Sequence, residues 1–210
     1  MKNLITLSII LLTAFMTQAN EYQENTHYAK VSGLAANQAE VREYFSFFCP
    51  HCYRYEPLMA AVKNNLPSKV KFVKNHVDFL PGTSKKMQRM LTKAMITAQV
   101  IDVEEAQIAA IFKYIHVHRA VFTSLRDVKN IFVLNGVDGE LVEQTMASEE
   151  VNDKANSMFD HQQALSKSGG IKAVPAIIVN GKYRVIAKEL DKDNFEQDYT
   201  KLVNFLLTLD

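Results

Sequence analysis

The chain has 210 residues, of which 48% are hydrophobic and 22% are charged. This composition suits one globular core with an elaboration, or two small domains. Its 24 Lys and Arg residues nearly balance its 23 Asp and Glu residues, which excludes a strongly basic nucleic-acid-binding protein and an acidic disordered tail. With only two cysteines, the chain forms neither a disulfide-stapled miniprotein nor a four-cysteine zinc fold.

Residues 1–19 have the pattern of a secretory signal peptide. Lys2 precedes a mostly apolar run, residues 4–16, and small and polar residues follow it. The run is shorter than the roughly 20 apolar residues that cross a bilayer, which argues against a membrane anchor. We therefore expect export, cleavage near Asn20, and a mature protein in the oxidising bacterial periplasm that spans no membrane.

The first predicted elements form a βαβ unit. Val41–Phe48 is rich in aromatic residues and nearly continuous in its apolar character, which is typical of a strand covered on both faces. A helix is predicted from Pro50 to about Leu66, where apolar residues recur at helical spacing. A second strand, Val70–Val77, ends at Pro81-Gly82.

Residues 83–167 predict an all-helical module, because no strand-like run occurs in them. Asp102 with Glu105 is predicted to cap one helix, and Ser124 with Asp127 to cap another.

The chain returns to β character after Gly169-Gly170. Two short strands, Ala176–Val179 and Tyr183–Ile186, flank Asn180-Gly181, the strongest hairpin signal in the sequence. A final amphipathic helix is predicted from about Asp193 to Leu207. A βαβ half and a ββα half thus flank a helical insertion, which predicts an α/β fold.

The two cysteines lie in the motif Cys49-Pro50-His51-Cys52, where the first strand ends and the first helix begins. A helix N-terminus presents unpaired N–H groups and roughly half a positive charge, so it favours a thiolate at Cys49. Pro50 suits the first helical position, since it has no N–H to leave unpaired. Cys52 lies within reach of a disulfide with Cys49, and a protonated His51 would add a positive charge nearby.

A stabilised thiolate sets the direction of the redox chemistry. It stabilises the reduced protein, whose disulfide is then a stronger oxidant of other thiols. Each unit by which the pKa of Cys49 falls below ambient pH is worth about 1.4 kcal/mol, or roughly 30 mV. This interpretation requires a Cys49 sulfur that lies at a helix N-terminus and is open to solvent.

Other interpretations of the cysteine pair are weaker. A structural disulfide between residues this close constrains the unfolded chain little, and unpaired structural cysteines would not call for a helix start. A zinc site needs two more ligands, and the candidate histidines show no paired spacing. These are His76, His116, His118 and His161. We expect His116 and His118 to be solvated or partly packed, because they point to different helix faces.

At these residues the sequence resembles the DsbA-type periplasmic thiol:disulfide oxidoreductases, which have a thioredoxin fold with an inserted all-helical domain. The resemblance is carried by residues 43–53, with the Pro50-His51 dipeptide of that family, and by Val174-Pro175-Ala176 leading into residues 179–183. The implied units are a thioredoxin-like domain of residues 20–82 and 168–210 and a helical insertion of residues 83–167.

The resemblance also implies roles for individual residues. Cys49 is the expected nucleophile, Cys52 the buried resolving cysteine, and His51 the residue that tunes them. The loop Val174-Pro175 is expected to face the cysteines with a cis peptide bond and to offer its backbone to an extended substrate.

Four further residues are candidates for the site. Glu43 and Lys74 lie in largely apolar strands, where a charged group is costly unless it is paired. The family places a buried acid and a nearby lysine beneath the cysteines to move protons at Cys52; alternatively, both lie at strand ends in water. Phe47 and Phe48 are expected to form an apolar surface that contacts substrate.

The expected activity is that of an exported dithiol oxidase. A cysteine of an unfolded secreted polypeptide attacks the Cys49–Cys52 disulfide, and the second thiol of that substrate releases the product disulfide. The resemblance implies reoxidation by a quinone-linked inner-membrane protein of the DsbB type. We expect a monomer with no metal, no nucleic-acid partner and no cofactor beyond the cysteine pair.

Two alternative functions remain open. One is a disulfide isomerase or reductase, although family isomerases carry a separate dimerisation domain, for which residues 20–40 are too few. The other is a non-catalytic peptide-binding or holdase module that uses the apolar surface around Phe47, Phe48 and Val174. Such a module would keep its function after Cys49 is replaced.

Overall fold

The computed structural model describes residues 22–34 and 36–209, so the expected signal peptide lies outside the described residues. Within them the chain forms five strands and seven helices. In chain order these are β1 (Tyr28–Lys30), β2 (Glu40–Phe45), α1 (Pro50–Asn64), β3 (Lys71–His76), α2 (Lys85–Val100), α3 (Glu104–His116), α4 (Leu125–Leu134), α5 (Gly139–Ala147), α6 (Glu149–Lys167), β4 (Ala176–Val179), β5 (Tyr183–Val185) and α7 (Phe195–Leu207).

The strands form one mixed sheet in the order β1-β5-β4-β2-β3. β2 and β3 run parallel and are joined by the crossover helix α1, whereas β4 is antiparallel to both β2 and β5. β2 therefore has a neighbour on each side, and five of its six residues are buried. Its central position explains its continuous apolar character, and its end leads directly to Cys49.

The strand predicted over Val41–Phe48 ends earlier, at Phe45. The carbonyl oxygen of Ser46 accepts a hydrogen bond from the N–H of Cys49 at 3.0 Å. The hydroxyl of Ser46 accepts another from the N–H of Phe48 at 3.2 Å. These local hydrogen bonds take the place of the hydrogen bonds to neighbouring strands and form the turn that leads from β2 into α1.

The two cap predictions had different outcomes. Ser124 and Asp127 form a reciprocal capping box at the start of α4. Asp102 does not cap α3, and that prediction is wrong: with a φ of +58° it is the left-handed residue that ends α2. The N–H of Val103 reaches back to the carbonyl of Ala98 at 2.8 Å, which completes a helix C-terminal motif before α3 begins.

The hairpin at Asn180-Gly181 is confirmed, with both residues at positive φ and the N–H of Lys182 bonded to the carbonyl of Val179. The sequence did not predict β1, which pairs with β5 and has only three residues. A strand this short shows no measurable alternation.

Two large hydrophobic clusters hold the chain together. One joins the sheet to α1 and α7 through residues such as Val41, Val179 and Leu202. The other fills the space among α2 to α6 and extends through Phe45 and Phe47 to both cysteines. The helical insertion therefore packs directly against the segment that carries the cysteines.

We expect Gly181→Ala to lower the free energy of unfolding by about 2–4 kcal/mol, through strain and overlap together. Gly181 has a φ of +69°, and a Cβ atom there would overlap the carbonyl oxygen of Leu34. Gly136→Ala is the matched control, because Gly136 has a φ of +81° but open space around its Cβ position. Urea unfolding should show that the control loses only about 1 kcal/mol of its free energy of unfolding. Equal losses in the two variants would show that overlap with Leu34 does not contribute.

Candidate active site

Cys49 occupies the N-cap of α1, and Pro50 follows it at the start of the helix. The Cys49 backbone is extended, with φ −95° and ψ 109°. Its Sγ atom accepts a hydrogen bond from the backbone N–H of Cys52 at 3.1 Å. The sulfur thus takes the place of the oxygen that a serine or aspartate cap would supply. The structure places the sulfur at a helix N-terminus, as the redox interpretation requires.

The surroundings of Cys49 lower its pKa to about 7. The largest cause is the hydrogen bond from the Cys52 side chain, and burial opposes it. The backbone N–H groups of Cys52 and His51 and the charge of Arg54 lower the pKa further. The pKa of Cys52 is strongly raised, by its hydrogen bond to Cys49 and by burial. Of the reduced pair, Cys49 therefore loses its proton first.

The requirement for an open sulfur is met only in part. Cys49 is 3% exposed and Cys52 is 0% exposed. The Cys49 thiol lies 3.4 Å from the carbonyl oxygen of Val174, to which it donates. The Val174–Pro175 bond is cis, as the resemblance implied, and this loop borders the sulfur. Of the two cysteines, only Cys49 keeps any contact with solvent.

The side chain of His51 is hydrogen-bonded to Arg54, three residues further along α1. It is exposed, and its Nδ1 atom accepts a hydrogen bond from the guanidinium of Arg54 at 2.9 Å. A guanidinium only donates hydrogen bonds, so Nδ1 is the acceptor here. The cation that acts on Cys49 is Arg54, whereas His51 acts on it through its backbone N–H.

Glu43 and Lys74 are direct partners across β2 and β3. The Lys74 Nζ atom donates to Glu43 Oε2 at 2.7 Å and to Glu56 Oε1 at 2.7 Å. The side chain of Glu43 is 0% exposed and that of Lys74 is 12% exposed, so the alternative that both lie in water is wrong. The three side chains form a partly buried charged network.

Burial and charge act against each other in this network. Burial raises the pKa of Glu43, although Lys74 opposes the shift. Burial alone would lower the pKa of Lys74, but the two carboxylates outweigh it and raise that pKa. The charge of Glu43 also helps to raise the pKa of Cys52. Glu43 Oε1 has no hydrogen-bond partner among the described residues.

Sequence reasoning missed Glu56. A usable signal was present, because Cys52 and Glu56 are one helical turn apart on α1 and so share a face. The exposed fraction of the side chains rises from 0% at Glu43 to 12% at Lys74 and 25% at Glu56. Lys74 and Glu56 line a cavity of about 370 Å³ between α1 and α3. The network therefore leads from the protein interior towards solvent.

The prediction that Phe47 forms part of an apolar surface is wrong. Its residue exposure is 0%, and its ring packs at 5.0 Å from the rings of His76 and Phe112. The turn at Ser46 directs this side chain into the core of the helical insertion. Phe48 is only partly buried and packs against the edge of the same core.

The described residues hold no group of three or more His, Cys, Asp or Glu side chains arranged to bind a metal ion. In the same part of the chain, no helix is both long and apolar enough to cross a membrane.

Residues 40–200 match the family model described as a DSBA-like thioredoxin domain. The chain is 31% identical to the thiol:disulfide interchange protein DsbA of Yersinia pestis, with 99% of each chain covered. It is 32% identical to that of Haemophilus influenzae, with 96% of this chain and 95% of that protein covered. The chain belongs to the DsbA-like thioredoxin family.

Solved structures agree with this assignment. The crystal structure of DsbA from Proteus mirabilis has a TM-score of 0.77 and 28% identity, and covers 90% of this chain and 98% of that one. A cysteine-to-serine variant of that protein with the non-covalently bound peptide PWATCDS has a TM-score of 0.80 and 27% identity, and covers 90% and 100%. The thioredoxin fold with a helical insertion is confirmed, and the chain is a thiol:disulfide oxidoreductase that acts as a dithiol oxidase.

We expect the ultraviolet thiolate absorbance of the reduced protein to show one transition near pH 7. Cys49→Ser should abolish it and Cys52→Ser should keep a Cys49 transition. Because the pKa of Cys49 is lower in the folded protein than in the unfolded one, its thiolate stabilises the fold at pH values above the unfolded pKa. This stability is lost as the pH falls through the folded pKa. The reduced protein should therefore lose stability relative to Cys49→Ser as pH falls from about 9 to below 7. A transition at the pKa of a free cysteine would contradict the assignment.

We expect Glu43→Gln to slow disulfide exchange by at least about tenfold, because it removes a proton carrier near Cys52. Stopped-flow oxidation of a dithiol peptide measures the rate. Glu40→Gln is the matched control, since Glu40 is also buried in β2 but pairs with Arg42 at 2.8 Å. Equal rates in the two variants would show that Glu43 takes no part in the reaction.

Proposed function

We propose that Cys49 is the sulfur through which this enzyme donates its Cys49–Cys52 disulfide. The observation that carries the proposal is the N-cap hydrogen bond from the Cys52 N–H to Cys49 Sγ at 3.1 Å. With a pKa of about 7, Cys49 is a better leaving thiolate than an ordinary cysteine. Transfer of the disulfide to a substrate is then favourable, because it ends in a stabilised thiolate.

The reaction takes place in two exchanges. A substrate thiolate attacks the Cys49 sulfur, and the electron pair of the broken S–S bond goes to Cys52, which takes up a proton. In the mixed disulfide, one substrate sulfur is bonded to Cys49. The second substrate thiolate attacks that substrate sulfur and expels Cys49 as a thiolate. The substrate loses two electrons, and the enzyme gains them as a thiol and a thiolate.

The charged network delivers the proton that Cys52 needs. The raised pKa of Cys52 means that this sulfur leaves poorly as an anion. Glu43 supplies the proton from its unpartnered oxygen, and Lys74 and Glu56 replace it from the solvent side. The order of exposure along the three side chains supports this direction.

The substrates are unfolded secreted polypeptides that contain cysteine pairs. The carbonyl oxygen of Val174 lies 3.4 Å from the Cys49 sulfur, so the loop of Val174 and Pro175 is placed to bind a chain that reaches this sulfur. Backbone pairing with Val174 binds an extended chain whatever its side chains are. The peptide complex of the Proteus mirabilis relative supports this class of substrate.

The enzyme works in the bacterial periplasm as a monomer and is reoxidised by a quinone-linked inner-membrane protein of the DsbB type. The pattern of residues 1–19 supports export. Each turnover leaves the enzyme reduced, so a separate electron acceptor must restore its disulfide. The enzyme needs no cofactor beyond the cysteine pair.

The alternative functions find no support in the comparisons. The curated relatives are named thiol:disulfide interchange proteins, and the burial of Phe47 removes part of the apolar surface that a holdase would use.

Redox equilibration against glutathione tests the proposal. We expect the wild-type enzyme to be reduced at glutathione ratios that leave an ordinary disulfide oxidised, because its thiolate is stabilised. Thiol alkylation followed by mass spectrometry measures the reduced fraction.

Oxidation of an unfolded protein substrate provides the second measurement. Cys49→Ser should abolish oxidation completely, and Cys52→Ser should accumulate a mixed disulfide through Cys49. Full function in Cys49→Ser would favour the holdase, and a glutathione equilibrium like that of an ordinary dithiol would favour a reductase.

A further inference from the structure

His116, the last residue of α3, reaches from the helical insertion to the active-site segment. Its Nε2 atom lies 2.8 Å from the carbonyl oxygen of Phe47. A carbonyl oxygen only accepts hydrogen bonds, so Nε2 carries the proton and donates it. The imidazole also stacks on the ring of Tyr53, with 5.3 Å between centroids and 9° between planes.

These two contacts lie on either side of the cysteine motif. Phe47 is two residues before Cys49, and Tyr53 directly follows Cys52. The peptide that joins Phe47 to Phe48 is held on both sides, its carbonyl by His116 and its N–H by the hydroxyl of Ser46 at 3.2 Å. Since Phe47 is 0% exposed, water cannot replace the histidine without a rearrangement.

We propose that His116 is a positioning residue that holds Cys49 in place for thiolate stabilisation and so makes the enzyme a stronger oxidant. This inference rests on the proposed function of Cys49. The reduced form depends on the alignment of Cys49 Sγ with the Cys52 N–H at 3.1 Å. A thiolate gains far more from that hydrogen bond than a disulfide sulfur does.

The restraint acts differently on the two redox states. In the oxidised enzyme the S–S bond itself holds Cys49 against Cys52, so a second restraint on the preceding turn adds little. In the reduced enzyme that bond is gone, and the turn from Ser46 to Cys49 needs another anchor. The bond from His116 to Phe47 supplies it, so it stabilises the reduced state more than the oxidised state.

Two substitutions separate the hydrogen bond from the ring contact. His116→Gln places an amide N–H near the position of Nε2 but loses the stack on Tyr53. His116→Phe keeps an aromatic ring but leaves the Phe47 carbonyl without a donor. His118→Phe is the matched control, because His118 is exposed and lies just beyond α3.

We expect His116→Phe to raise the Cys49 pKa and to shift the glutathione equilibrium about three- to tenfold towards the oxidised enzyme, the range that one lost hydrogen bond allows. His116→Gln should stay close to wild type, and His118→Phe should match it. Thiolate titration and glutathione equilibration measure the two effects. Wild-type values in His116→Phe would overturn the proposal, as would equal changes in His116→Gln and His116→Phe.

Unfolding of both redox forms distinguishes positioning from simple stability. We expect His116→Phe to destabilise the reduced protein more than the oxidised protein, whereas a purely structural role would lower both equally. If wild-type Cys49 titrates as a free cysteine, the proposed function of Cys49 fails. If wild type titrates near pH 7 and His116→Phe does too, only the role of His116 fails.

Discussion

The chemistry proposed for this protein starts from the position of Cys49 at the N-cap of α1, where the backbone N–H of Cys52 donates a hydrogen bond to its sulfur at 3.1 Å. This hydrogen bond exists because Cys49 takes the N-cap position of a helix, where the first N–H groups have no partner in the helix itself. The bond caps the helix and at the same time stabilises a thiolate. Helix capping and redox chemistry are therefore one interaction, and the fold must hold the strand end and the helix start in register.

The two sulfurs differ because their surroundings differ. Cys49 accepts hydrogen bonds from the Cys52 thiol and from backbone N–H groups and lies near the charge of Arg54, whereas Cys52 donates to Cys49, is more deeply buried and is affected by the negative charge of Glu43. The same motif thus contains a sulfur that leaves readily as an anion and one that needs a proton. The buried pair of Glu43 and Lys74 would be costly as a purely structural feature, and the effect of the Glu43 charge on Cys52 is consistent with the proton transfer proposed for it.

The helical insertion supports the active site by packing against the segment that carries the cysteines. Its core is continuous with the cysteines through Phe45 and Phe47, and His116 bonds to the segment just before Cys49. An insertion that packs in this way restrains the turn from Ser46 to Cys49, which lies outside the sheet and before the helix. The sheet and α1 place the sulfur, and the insertion keeps it there.

Local chemistry allowed the sequence to determine the helix start at Pro50, the hairpin at Asn180-Gly181, the helical insertion and the cysteine motif. Each depends on residues close together in the chain. Only the tertiary structure decided the burial of Phe47 and the contacts of Glu56 and His116. His116 and Phe47 are 69 positions apart, and sequence periodicity describes a segment's own faces but not which distant segment packs against them.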